Sequence, residues 1–163
     1  MELRPITMED LPLYEGLATD PVTMSELGGP LPREGLEEKL RGIVRQVATG
    51  EIWYFTIVPD EATGPVGTVC VWDHEHEGEM IAEIGWVVQP AFQGRGLASA
   101  AVDQLLRRAH AEHRWGVIHA FPGATNGASN AICRKNGFTK IGELDFEYVG
   151  RPMRGVHWEV DVR

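Results

Sequence analysis

Hydrophobic positions along the chain change period several times, and the changes mark out its elements. Residues 2–6 alternate as a short edge strand, and Thr7 is a suitable N-cap for a helix carried by Leu11, Tyr14 and Leu17. Residues 20–31 contain Gly28-Gly29-Pro30 and predict irregular chain lying over a substrate cleft. Residues 32–48 restore a helical spacing through Leu36, Leu40, Ile43, Val44 and Val47. Period two then takes over: 52–58 and 66–72 read as strands joined by a turn over 59–65, and a second turn over 73–79 leads into a strand at 81–88. A helix over 97–112, a buried strand over 116–121, a helix near 126–136 and strands over 138–148 and 156–162 complete the series. The pattern predicts a mixed α/β fold in a single domain over residues 1–163. Its mostly antiparallel sheet has about seven strands and is flanked by about four helices, with no linker or internal repeat.

Composition narrows the function classes. The chain has 163 residues, 43% hydrophobic and 24% charged, an ordinary globular balance. Its formal net charge of -9 argues against a general nucleic-acid binder, which needs a basic face, and permits a cationic substrate. The start, Met1-Glu2-Leu3-Arg4-Pro5, has no basic segment leading into an apolar one, and no stretch nears the ~18 apolar residues of a membrane span. Cys70 and Cys133 fall in a predicted strand and a predicted helix, so no disulfide framework is expected. The expected compartment is the reducing cytoplasm, with no membrane partner. An exposed sheet edge or the C-terminal hairpin is where a homodimer could form.

The segment that decides the reading is Gln93-Gly94-Arg95-Gly96-Leu97-Ala98, between a predicted strand and a predicted helix. Two glycines let backbone N–H groups turn inward without Cβ obstruction. The helix adds roughly half a positive charge at its N-terminus, so a phosphate-like anion belongs there. An acidic protein must hold such an anion locally, through N–H groups and a few side chains such as Arg95 and Arg134. The order Gln-x-x-Gly-x-Ala after a strand resembles the pyrophosphate loop of the GNAT superfamily, the acyl-CoA-dependent N-acyltransferases. Asn126-Gly127-Ala128-Ser129, followed by Cys133-Arg134-Lys135-Asn136-Gly137-Phe138, is similar to that family's Asn-x-Ala-Ser…Lys-x-Gly-Phe helix. This variant resembles the Rim-type branch, which acetylates protein N-termini, and related small-amine acetyltransferases. Both segments fall in the family's order, and the resemblance covers essentially the whole chain. It implies a GNAT-like fold, acetyl-CoA as co-substrate, no metal, and direct attack of a primary amine on the thioester. The implied acceptor is a protein N-terminus, an aminoglycoside-like amine or a small metabolite amine.

Such a reaction must hold the CoA, obtain a neutral amine and stabilise a tetrahedral oxyanion. The loop from Gln93 through Gly94, Arg95, Gly96, Leu97 and Ala98 is the expected pyrophosphate site. A lysine-like amine with a pKa of about 10.4 pays roughly 4–5 kcal/mol to be neutral at pH 7, so a base is worth having. Glu83 is the candidate, because its place on the strand before the loop resembles that of the catalytic glutamate in the superfamily's histone acetyltransferases. The alternative for Glu83 is solvent exposure or a cross-strand pair. The departing thiolate, with a pKa of about 8.5, needs less help. Many relatives place a tyrosine four residues before the glycine of the Gly-Phe pair; here that cofactor-side position is Cys133. The resemblance offers Ser129 as the proton donor instead, and Asn126 as a partner for the pantetheine arm; both are also ordinary cap and turn residues. The N–H of Val87 or Val88 is the expected oxyanion donor.

Other patterns carry less. His74-Glu75-His76-Glu77 lacks third and fourth metal ligands of definite position and is expected to be exposed at a hairpin. His119 and His157 are expected to be packed, hydrogen-bonded residues, and the five tryptophans to pack the sheet faces. Gly94-x-Gly96-x-x-Ser99 as a dinucleotide fingerprint fails, since a meander precedes it and the next strand has no acidic residue for a ribose. A non-catalytic acyl-CoA sensor competes with the enzyme, motivated by the missing tyrosine.

Overall fold

A computed structural model describes residues 1–148 and 150–163. Its strands are β1 (Glu2–Pro5), β2 (Trp53–Val58), β3 (Gly67–His76), β4 (Glu79–Val88), β5 (Val117–Ala120), β6 (Thr139–Tyr148) and β7 (Arg151–Asp161). Its helices are α1 (Leu11–Thr19), α2 (Leu36–Thr49), α3 (Leu97–Ala111) and α4 (Gly127–Lys135). One mixed sheet runs in the order β1-β2-β3-β4-β5-β7-β6. Every neighbouring pair is antiparallel except β4 and β5, which the α3 crossover makes parallel. The expected mixed α/β architecture is the one the chain forms.

Alternation along the strands separates two faces. Val69 and Val71 of β3, Ala82, Ile84 and Val88 of β4, and Ile118 and Ala120 of β5 are buried in the same core as Ala101, Val102, Leu105 and Ala109 of α3. The other face carries Cys70, Trp72, His74 and His76 on β3, Glu83 on β4, His119 on β5, and His157 and Glu159 on β7. Tyr14 of α1 and Gln46 of α2 line a cavity of about 380 Å³ there, together with Tyr54, Cys70 and Trp72.

Three boundaries differ from expectation. The turn expected over 73–79 is instead strand: β3 and β4 pair without a break from Gly67↔Val88 to His76↔Glu79. Only Glu77 and Gly78 turn, both with positive φ, 51° and 84°; a two-residue turn of that hand matches the twist of the strands it joins. Polar Asp, His and Glu have weak strand propensity, but cross-strand pairing outweighs it. Similarly, β7 starts at Arg151 and not at residue 156, because it pairs with β6 to the end of that hairpin. Helix α2 starts at Leu36 and not at residue 32, behind Gly35 with φ 82°.

Candidate active site

The sheet opens where the parallel pairing ends. Pairing between β4 and β5 is confined to Ala82↔Ile118 and Glu83↔His119, after which the two strands part. The last five residues of β4 therefore border an opening and not a neighbouring strand. Gln89 N–H donates to the Val66 carbonyl at 2.9 Å. By the alternation of an antiparallel ladder, Val87 then aims its N–H at β3, and Val88 aims its N–H toward the opening. Of the two expected oxyanion donors, Val87 is turned away; only Val88 faces the cleft. Gln93 Nε2 donates to the Val88 carbonyl at 2.9 Å, so that side chain secures the end of β4.

The glycine loop follows directly. Gly94 and Gly96 have φ of 71° and 77°, a region in which a side chain is strained. A Cβ on either would meet no protein atom within 4 Å, so internal packing does not demand these glycines. Gly96 is the N-cap of α3, no side chain caps the helix, and no acidic residue lies in its first turn. The N–H groups of Leu97, Ala98 and Ser99 precede the first intrahelical bond and can serve an anion. Arg95 is exposed; its Nη2 donates to the Ala91 carbonyl at 2.9 Å, and its guanidinium lies 5.1 Å from the Phe92 ring centre. Arg134 lines a cavity of about 370 Å³ together with Lys140, Glu143 and Trp158.

Helix α4 is fixed by three amides, two of which, Asn130 and Asn136, sequence reasoning gave no role. Asn130 is buried; its Nδ2 donates to the carbonyls of Gly123 and Asn126, and its Oδ1 accepts from Trp158 Nε1 at 2.9 Å. Asn136 Nδ2 donates to Ser99 Oγ at 3.1 Å and ties α4 to the first turn of α3. Asn126 caps α4, its Oδ1 accepting from Ser129 N–H at 3.0 Å. Ser129 is half-buried in that first turn. Cys133, expected on the cofactor side, is fully enclosed in the core, and burial pushes its thiol up to about 12. It can neither touch CoA nor act as a thiolate. Cys133→Ala is expected to lower unfolding stability by about 1–2 kcal/mol while leaving kcat within about threefold, readable by denaturant titration beside a rate assay.

On the other face, Glu83 meets His74. The two lie on adjacent strands, and His74 Nε2 is 2.6 Å from Glu83 Oε2, with side-chain exposures of 34% and 21%. His74 is thus half-buried against a carboxylate, not exposed at a turn. Burial raises the Glu83 pKa above the ordinary carboxylate value, and the charge of His74 and its hydrogen bond work against that rise. His119, opposite Glu83 in the register, lies 2.8 Å through Nδ1 from His157 Nε2. Burial holds both imidazoles below the ordinary histidine value. Their ring centres are 5.1 Å apart, the separation of rings set end to end along such a contact. One N–H therefore points at one lone pair. Glu159 brings a third ligand-type atom within 4.8 Å, yet a metal needs lone pairs converging on one point about 2.0–2.1 Å away, and opposed lone pairs do not converge. The pair is built to share a proton.

The segment between α1 and α2 reaches across this face. Thr125 Oγ1 donates to Glu26 Oε2 at 3.0 Å, and the Arg151 guanidinium sits 3.1 Å from where a Cβ on Gly29 would be. The loop expected over a substrate cleft touches both the approach to α4 and the β6–β7 hairpin.

Residues 1–139 match the family model of the acetyltransferase (GNAT) domain. No curated protein matches the chain significantly by sequence. Among solved structures, the chain is similar to a ribosomal-protein-alanine N-acetyltransferase from Brucella melitensis, with TM-score 0.81, 21% identity and 99% of each chain covered. It is also similar to a spermidine N-acetyltransferase from Vibrio cholerae in complex with CoA and spermine, with TM-score 0.80, 20% identity, and 98% of this chain and 94% of that one covered. RimL, a ribosomal L7/L12 alpha-N-protein acetyltransferase in complex with coenzyme A, gives TM-score 0.81 at 19% identity, covering 98% and 92%. At these identities the likeness is one of fold, whereas the family match spans most of the sequence. The family match over residues 1–139 shows that the chain belongs to the GNAT acetyltransferase family and is an N-acetyltransferase.

Proposed function

We propose that the protein transfers an acetyl group from acetyl-CoA to a primary amine by direct attack of the amine on the thioester. The observation that carries the reading is the parting of β4 from β5 just beyond the Glu83↔His119 pair, with the loop and the α3 N-terminus at the end of β4. A pantetheine arm fits such an opening, because backbone groups along an unpaired strand edge can bond an amide-bearing chain. In this reading the N–H groups from Gly94 to Ala98 hold the pyrophosphate, Asn126 and Val88 border the arm, and the Val88 N–H serves the oxyanion. CoA would supply the activated acyl group; no metal has a role.

Proton bookkeeping assigns the remaining roles. An ammonium acceptor carries three protons. Glu83 takes the first and frees the nucleophile, the departing thiolate takes the second as the tetrahedral adduct collapses, and the third stays on the amide. In this reading Ser129, in the first turn of α4, relays that second proton, giving its hydroxyl proton to the sulfur and taking up the one the nitrogen loses. The net charge of -9 favours a cationic acceptor, a protein N-terminus or a small amine. The free cysteines and the absence, among the described residues, of a helix long and apolar enough to cross a membrane are compatible with a cytoplasmic site.

The deciding measurement is release of free CoA, read with a thiol reagent, from acetyl-CoA mixed with peptides, polyamines and aminoglycosides. Amine-dependent release is expected and names the acceptor class. Thermal stabilisation by acetyl-CoA without release from any amine would favour a sensor, and absence of both would overturn the assignment.

A further inference from the structure

The contact between His74 and Glu83 can be taken further, resting on Glu83 as the base. His74 Nδ1 lies 3.0 Å from the Glu75 carbonyl. A carbonyl oxygen can only accept, so Nδ1 carries a proton. Nε2 faces the Glu83 carboxylate at 2.6 Å, and two lone pairs do not approach that closely, so a proton also lies between them. The two side chains thus form one unit with a single shared proton, leaving the second carboxylate oxygen for the acceptor amine. The register that pairs β3 with β4 lays both side chains on one face, and nothing in the reaction itself requires a histidine here.

We propose that His74 is a positioning residue for catalysis: by hydrogen bond and charge it keeps the half-buried Glu83 carboxylate ionised and oriented, and so sets the lower pH limit of acetyl transfer. The titratable groups on the surrounding elements are few. Cys70 and His76 of β3, Glu79 of β4, His119 of β5, and His157 and Glu159 of β7 share the face. Tyr14 of α1 and Tyr54 of β2 line the adjoining cavity. Burial lowers the pKa of His119 and His157, and His74 is the imidazole in direct contact with Glu83.

The direction of the effect follows. Without His74, burial acts on Glu83 unopposed, its pKa rises further, and the ionised base is present only at higher pH. His74→Phe is expected to lower kcat/KM about tenfold on the acid side of the profile and to converge with the parent enzyme at high pH, with KM for acetyl-CoA unchanged. His74→Gln, which keeps a donor but no charge, should fall between the two. A uniform loss at every pH, or His74→Phe and His74→Gln profiles that superimpose on the parent, would overturn the proposal. Glu83→Gln measured alongside separates the two claims. If it retains the full rate and profile, Glu83 itself is not the base; if it loses them while the His74 variants do not, only the role of His74 fails.

Discussion

Glu83→Gln is expected to reduce kcat about a hundredfold to a thousandfold toward an acceptor with a lysine-like amine, with little change in KM for acetyl-CoA. Glutamine keeps the size of the side chain and can still bond His74, so the substitution removes proton acceptance and little else. That proton matters most for a strongly basic amine, for which the neutral form is the rarer one at pH 7. A peptide N-terminus, with a pKa of about 7.7–8.0, is already partly neutral and should lose much less. The pH profile carries the sign. The base works when ionised and its pKa is raised by burial, so kcat/KM of the parent should climb with pH through a point above the ordinary carboxylate range, and that limb should vanish in the variant. Profiles for both acceptor types decide the matter. An equal loss for both would indicate damage to the site, not loss of a base, and an unchanged profile would remove Glu83 from the mechanism.

What the sequence disclosed about this site tracks how local each requirement is. Gly94 and Gly96 were legible because positive φ at a strand-to-helix turn is demanded within six residues. Glu83 was legible as a candidate because its place on β4 could be counted back from the loop. Its partner was not, because His74 meets it only through the register of two strands, and a slip of one residue would send His74 to the opposite face. The polar run around His74 also reads as a turn until ten consecutive cross-strand pairs extend the hairpin through it. The His119–His157 contact was further out of reach, since β7 is inserted beside β5 from later in the chain. Cys133 shows a different limit. Ser129 and Cys133 lie four apart on one helix face, but the helix dips inward, so the first is half-buried at its mouth and the second lies in the core. Periodicity gives the face of a residue and not its depth.

Gly96→Val is expected to weaken CoA binding at least a hundredfold while leaving a folded protein, and the two effects can be told apart. A valine at φ 77° is strained by about 1–2 kcal/mol, and its Cβ meets no protein atom within 4 Å, so the cost to folding stops near that figure. Binding suffers more, because the added methyl groups occupy the space where the pyrophosphate approaches the N–H groups of the α3 N-terminus. Gly64→Val is the matched control. Gly64 has φ 72°, an added Cβ there also meets nothing within 4 Å, and it sits in the turn between β2 and β3, outside the glycine loop. Both variants should therefore melt earlier than the parent by a similar amount. With CoA at about one hundred times the parent Kd, the parent and Gly64→Val should each gain about 2.7 kcal/mol of stability, and Gly96→Val should gain less than half a kcal/mol. A CoA-induced shift in Gly96→Val equal to that of the control would mean that the loop does not hold the pyrophosphate. Strain at the loop and loss of the ligand are thus read in one melting series, and only the second bears on function.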